Sequence, residues 1–256
     1  MWRLVLVVLS VVIAYAYAKE KPPVKHGGGN RVVEMPDTTL SFSGYSWVVK
    51  APAGQAYPGP NYWNPLYARV DGNGFLHLKA ALNPVTGRWE CAEVHTKQSL
   101  GFGTYQWQVE SDLGALDKNI VLGMFNFSGN ERHDEMDIEI ARWGNAAWDN
   151  LNYTIWPATG STAVRSVNIS SFSTPNGTYT THRLKRTNGR VTLQGLYGFV
   201  NNDDNQFQAV TFNSPKTSIS TLAMPVYISL WLFGGLAPSN NQKVEVVIHN
   251  FKFIPQ

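Results

Sequence analysis

Glu135-Met136-Asp137-Ile138-Glu139-Ile140 alternates acidic and apolar side chains, and the fold is decided by how this stretch is read. A β-strand sends successive side chains to opposite faces, so Glu135, Asp137 and Glu139 share one face and Met136, Ile138 and Ile140 the other. His133 falls on the acidic face by the same parity. Three carboxylates in a row repel one another, and a sheet has little structural reason to collect them unless the repulsion is used.

Outward from this stretch the chain continues in the same idiom. Between residues 32 and 254 short alternating or apolar runs are punctuated by Gly, Pro, Asn and Ser, with no long helical period, which predicts an all-β fold. Strands are expected over residues 44–50, 75–80, 92–97, 103–110, 120–127, 135–141, 151–156, 181–186, 191–196, 226–233 and 244–254. There is no internal repeat, so a propeller or solenoid is not expected. Two stacked antiparallel sheets are the economical arrangement, and a sheet curved enough to leave a groove would suit a polymeric ligand.

Two runs are expected to turn polar or aromatic groups toward such a groove. In residues 103–110, Thr104, Gln106, Gln108 and Glu110 alternate with Tyr105, Trp107 and Val109. In residues 226–233, Tyr227, Ser229, Trp231 and Phe233 share one side and Ile228, Leu230 and Leu232 the other. Trp231 followed by Phe233-Gly234-Gly235 reads either as a flat platform for a sugar ring or as a core tryptophan.

Composition narrows the function classes. Of the 256 residues 15% are charged, below the roughly 25% usual for soluble domains, whereas aromatics reach 12% with nine Trp. The net charge of +3, much of it near the N-terminus, gives no basic stripe for nucleic acid. The single cysteine, Cys91, cannot form an intramolecular disulfide, and no Cys/His group has zinc-site spacing, so no metal or cofactor is expected. Structural calcium remains open without a sequence signature.

Residues 1–18 read as a signal peptide: Arg3, an apolar core from Leu4 to Ile13 and Ala16-Tyr17-Ala18 before the cleavage point. An uncleaved anchor is the competing reading, but the run is shorter than the roughly 20 residues a spanning helix needs. Residues 19–30, with Pro22-Pro23 and Gly27-Gly28-Gly29, read as a flexible leader. Residues 31–256 are then one domain, secreted to the extracellular space, monomeric and off the membrane. Sequons stand at Asn126, Asn152, Asn168 and Asn176.

The acidic row suits one chemistry well. Cleaving a glycosidic bond with retention needs a carboxylate nucleophile and a carboxylic acid, about 5 to 5.5 Å apart. Strand residues four apart have Cα atoms roughly 13 Å apart, so Glu135 and Glu139 qualify if their long side chains lean together by about 4 Å each. Asp137 lies between them and can hydrogen-bond either. An ionised Glu135 would keep a neighbouring acid protonated, and the cluster would titrate as a unit. An exposed acidic strand face or a calcium site is the alternative reading.

His133-Asp134-Glu135-Met136-Asp137-Ile138-Glu139-Ile140 closely resembles the active-site strand of glycoside hydrolase family sixteen, the lichenase, laminarinase and xyloglucan transglycosylase group, in its form without a bulge. The likeness extends over residues 88–156, through Cys91-Ala92-Glu93-Val94-His95 and Gly101-Phe102-Gly103-Thr104-Tyr105, and more weakly through Leu230-Trp231 to the closing strand.

The resemblance implies a β-jelly-roll sandwich with a concave carbohydrate cleft and a retaining double displacement. It implies Glu135 as nucleophile, Asp137 as its helper and Glu139 as acid/base, with Glu93, Asn152 and Trp231 as substrate contacts. Phe125 and Phe127 would share the cleft-facing side. His95 stands where lichenases have an Arg, and His133 where they have a Trp and the transglycosylase branch a His. These two would help choose the sugar. The expectation is an endo-β-glycosidase acting on a polysaccharide, above all a β-glucan, with a transglycosylase or a non-catalytic carbohydrate-binding protein as alternatives.

Overall fold

The computed structural model describes residues 38–161, 165–175, 177–214 and 218–256. The expected signal peptide and leader, and the sequon at Asn176, lie outside the described residues. No helix among the described residues is long and apolar enough to cross a membrane.

The architecture is two layers of antiparallel strands, the jelly-roll sandwich fold. In the first layer the hydrogen-bonded order is β11 (Ser166–Ser170), β10 (Leu151–Trp156), β9 (Glu135–Ala141), β8 (Ile120–Phe127), β15 (Val226–Leu232) and β6 (Arg88–Thr96). Strand β2 (Tyr45–Val49) continues it beyond β6 and pairs with β1 (Thr38–Phe42). The second layer runs β5 (Leu76–Asn83), β16 (Val244–Pro255), β7 (Gly103–Glu110), β12 (Tyr179–Thr187), β13 (Arg190–Tyr197) and β14 (Gln206–Asn213). The β5–β6 hairpin joins the layers, β4 (Ala68–Val70) flanks β5, and β3 (Tyr62–Trp63) adds to β6 in parallel.

All eleven expected strands are present, with ends shifted by a few residues. The five not foreseen are β1, β3, β4, β11 and β14. Two or three residues are too few to show alternation in β3 and β4. In β11 and β14 nearly every residue is only partly covered, so the edge strands carry no clean two-residue period.

Apolar faces meet between the layers. Trp47, Trp107 and Phe251 pack ring to ring at 5.5 and 5.6 Å, and Trp47 Nε1 donates to Phe42 O at 3.0 Å. Cys91 is buried, and burial pushes its thiol up to about 12. Met136, Ile138 and Ile140 are fully buried. Each contributes about 1.5–3 kcal/mol relative to exposure, and a one-residue slip would drive Glu135, Asp137 and Glu139 into the core instead. That contrast locks the register of β9.

The polar face of β7 is not in the groove. Tyr105, Trp107 and Val109 are its core face, which sends Thr104, Gln106, Gln108 and Glu110 to the outer surface of the second layer. There Gln106 Oε1 accepts from Arg183 Nε at 2.7 Å and its amide donates to Asn201. Alternation gave the two faces correctly, but pairing with β12 and β16 decides which layer the strand joins.

Candidate active site

Strand β9 lies between β8 and β10, so each acid has a neighbour on both sides. Glu135 pairs in register with Phe127 and Trp156, Asp137 with Phe125 and Thr154, and Glu139 with Gly123 and Asn152. Opposite the core, this face of the layer is the floor of a cavity of about 410 Å³. All three acids line it and all are at most 6% exposed. Their neighbours cover the carboxylates almost completely, and charges so covered interact more strongly than in open water.

Trp156 orients the middle acid: its Nε1 donates to Asp137 Oδ2 at 3.2 Å. Gly123 leaves the position beside Glu139 without a side chain. A Cβ there would meet the Phe125 ring at 3.3 Å.

The far wall is organised by Lys50. Its Nζ donates to Glu93 Oε1 at 2.8 Å and to Tyr57 O at 2.6 Å, and sits 4.1 Å over the Trp63 ring. One cation thus ties β6 to the loop that carries Tyr57 and Pro58 over the cavity. At Gly235, with φ of 69°, that loop passes so close that a Cβ would lie 2.5 Å from Pro60 O. Tyr57 Oη is buried without a hydrogen-bond partner among the described residues. Burial first, then the charges of Glu135, Glu131 and Glu139, hold its hydroxyl far above the ordinary tyrosine range.

Among the expected contacts Glu93, His95, Phe125, Phe127 and Trp231 line the cavity with the three acids. Two do not. Asn152 is 3% exposed and packs beside Glu139, its Oδ1 accepting from Trp143 Nε1 at 3.1 Å and its amide donating to Ala141 O at 3.0 Å. His133 is off the strand, because Arg132 and Asp134 take positive φ of 64° and 51° and turn the chain just before Glu135. Its Nε2 faces Gly160 O at 3.0 Å, which pins the loop whose Gly129 and Glu131 do reach the cavity.

Trp231 lines the cavity but is only 4% exposed and leans on Trp143 at 6.2 Å. Phe233 lies past the strand end and packs edge-on against Trp143 at 5.8 Å. Trp231 is therefore a cleft wall backed by core, not an open platform, and Phe233 does not line the cavity.

Sequence reasoning did not select Lys50, Tyr57, Glu131, Tyr227 or Ser229 as site residues, although all line the cavity. The last two had a signal, since they share the parity of Trp231. Lys50, Tyr57 and Glu131 had none, because they arrive from a strand end and loops. No group of three or more His, Cys, Asp or Glu among the described residues is arranged to hold a metal ion.

No protein-family model matches the chain, nor does any curated sequence. Solved structures do match in fold. The β-glucanase of Bacillus licheniformis superposes with a TM-score of 0.61 at 14% identity, over 82% of this chain and 92% of that one. A glycoside hydrolase family 16 protein of Bacteroides ovatus, described in complex with a mixed-linkage glucan product, gives 0.57 at 14% identity over 81% and 94%. A non-specific endo-β-1,3(4)-glucanase of family 16 gives 0.59 at 13% over 81% and 83%. The chain has the fold of family 16 β-glucanases.

Proposed function

We propose that this chain is a secreted, retaining endo-β-glycosidase that hydrolyses β-glucan, its mature part beginning after residue 18. The observation that carries the reading is the row Glu135, Asp137, Glu139 on the floor of a cavity, in a fold shared with β-glucanases. Glu135 attacks the anomeric carbon as the leaving oxygen takes a proton from Glu139, giving a glycosyl-enzyme ester. Glu139 then removes a proton from water, which displaces Glu135 and restores the configuration. Asp137, held by Trp156, stands between them and hydrogen-bonds Glu135 as its charge changes.

A neutral polysaccharide suits the walls. The cavity is lined by Glu93, Glu131, Glu135, Asp137 and Glu139 against Lys50, which is already paired with Glu93. An anionic chain would be repelled along the cleft.

Purified protein should be incubated with a panel of neutral β-glucans and anionic galactans, following new reducing ends and, by NMR, the anomer formed first. The β-anomer from a β-glucan supports the reading; the α-anomer, or no cleavage of any glucan, overturns it. Adding an oligosaccharide acceptor in the same assay separates hydrolysis from glycosyl transfer.

A further inference from the structure

Three rings stand side by side across the cleft floor. Tyr227 of β15 is in register with His95 of β6 and Phe125 of β8. It stacks on both, at centroid separations of 4.9 and 5.0 Å and interplanar angles of 23° and 12°. Neighbouring strands lie about 4.8 Å apart, so the rings stand upright from three adjacent strands and cover one another's faces. Phe127 meets Tyr227 edge-on at 6.0 Å.

Stacking in this direction changes what the floor can offer. Neither face of Tyr227 is free to pack on a sugar ring, so it presents an edge and a hydroxyl to the cavity that it lines with Glu93 and Glu135. Burial, then the charges of Glu93 and Glu135, push that hydroxyl up to about 12, which keeps it a donor at any ordinary pH. A donor in a cavity that two carboxylates also line complements a sugar hydroxyl, which accepts one hydrogen bond while donating another.

We propose that Tyr227 is a specificity-determining residue of this cleft, its Oη donating to a hydroxyl of the substrate that in turn donates to Glu93 or Glu135. The inference rests on the glycosidase reading and deepens it: at this point the sugar is recognised by hydrogen bonding, and the aromatic rings serve to hold the donor still. A phenol clamped on both faces has lost its rotamer freedom before binding, so little entropy is spent when the substrate arrives.

Tyr227→Phe tests this directly, because it keeps the ring between His95 and Phe125 and deletes only the hydroxyl. Binding of short gluco-oligosaccharides and their monodeoxy counterparts would be measured by calorimetry in the Glu135→Gln background, with and without Tyr227→Phe. The expected result is about tenfold weaker binding of the parent sugar by the double variant, the size of one lost hydrogen bond. One monodeoxy sugar should be penalised by Glu135→Gln alone and penalised distinctly less by the double variant, in which that hydroxyl keeps only its bond to the acceptor. Equal binding of every sugar by both proteins overturns the role of Tyr227 and leaves the glycosidase reading standing. If the Glu135→Gln protein binds no gluco-oligosaccharide and the wild type cleaves no glucan, the glucan reading falls and takes this inference with it.

Discussion

Trp156 reaches diagonally across the β9–β10 pair: it is in register with Glu135, yet its Nε1 donates to Asp137 Oδ2 at 3.2 Å. Trp156 is 3% exposed and Asp137 2%, so the bond is shielded from water and fixes the direction of the central carboxylate. Arg165 covers the indole with its guanidinium 5.0 Å from the ring.

Replacing Trp156 by Phe removes the donor and keeps most of the packing. The expected outcome is a drop in kcat of about tenfold with KM nearly unchanged, since in the proposed mechanism the bond orients the helper of the nucleophile and does not touch substrate. A fall in thermal stability with kcat intact would assign Trp156 to packing alone.

Glu135→Gln and Glu139→Gln should fail differently. The first abolishes turnover of all glycosides while glucan binding persists, because no ester can form. The second should impair polymer cleavage by about 100-fold or more, yet spare an activated aryl glycoside whose leaving group needs no proton. Steady-state kinetics on both substrates checks this, and equal losses for Glu139→Gln would count against its role as the acid.

His182 lies fully buried in the second layer, edge-on to the stacked pair Phe172 and Phe207, with centroids at 6.4 and 6.2 Å. Burial pushes its imidazole from the ordinary 6.5 down to about 3. The folded protein therefore holds it neutral while the unfolded chain takes up a proton below pH 6.5. Its contribution to stability is complete above that pH and declines as pH falls toward 3, by about 1.4 kcal/mol per unit. Denaturant unfolding of wild type and His182→Leu at pH 7 and pH 4 should show a smaller acid loss in the variant; parallel losses would show that His182 is not the group responsible.

Glycosylation offers a check on the strand registers. Asn126 is fully buried and Asn152 is 3% exposed with its amide bonded to Ala141 O, so neither sequon can carry a glycan in the folded protein. Peptide mapping of active protein made in a glycosylating host should find both unmodified. A glycan on Asn152 in active protein would sink the β10 register.

Alternation alone was enough to place Glu135, Asp137 and Glu139 on one face and Met136, Ile138 and Ile140 on the other, because period two is a local property of the extended chain. The same regularity marked all eleven expected strands and the shared side of Tyr227, Ser229 and Trp231. It misplaced the polar face of β7, since the face that meets solvent depends on which strands pair, and pairing joins residues far apart in the chain.

Tertiary structure decided the rest. His133 has the right parity, but a left-handed Asp134 next to Glu135 ends the strand before it. Asn152 has the right register, but Trp143 and the Ala141 carbonyl occupy its amide. Lys50 and Tyr57 come to the cavity because one ammonium group satisfies Glu93 and a loop carbonyl together, a contact spanning 43 residues that no short-range pattern encodes. The acidic row was thus written in the order of residues, whereas its walls arise from long-range packing, where side chains meet by geometry and not by spacing.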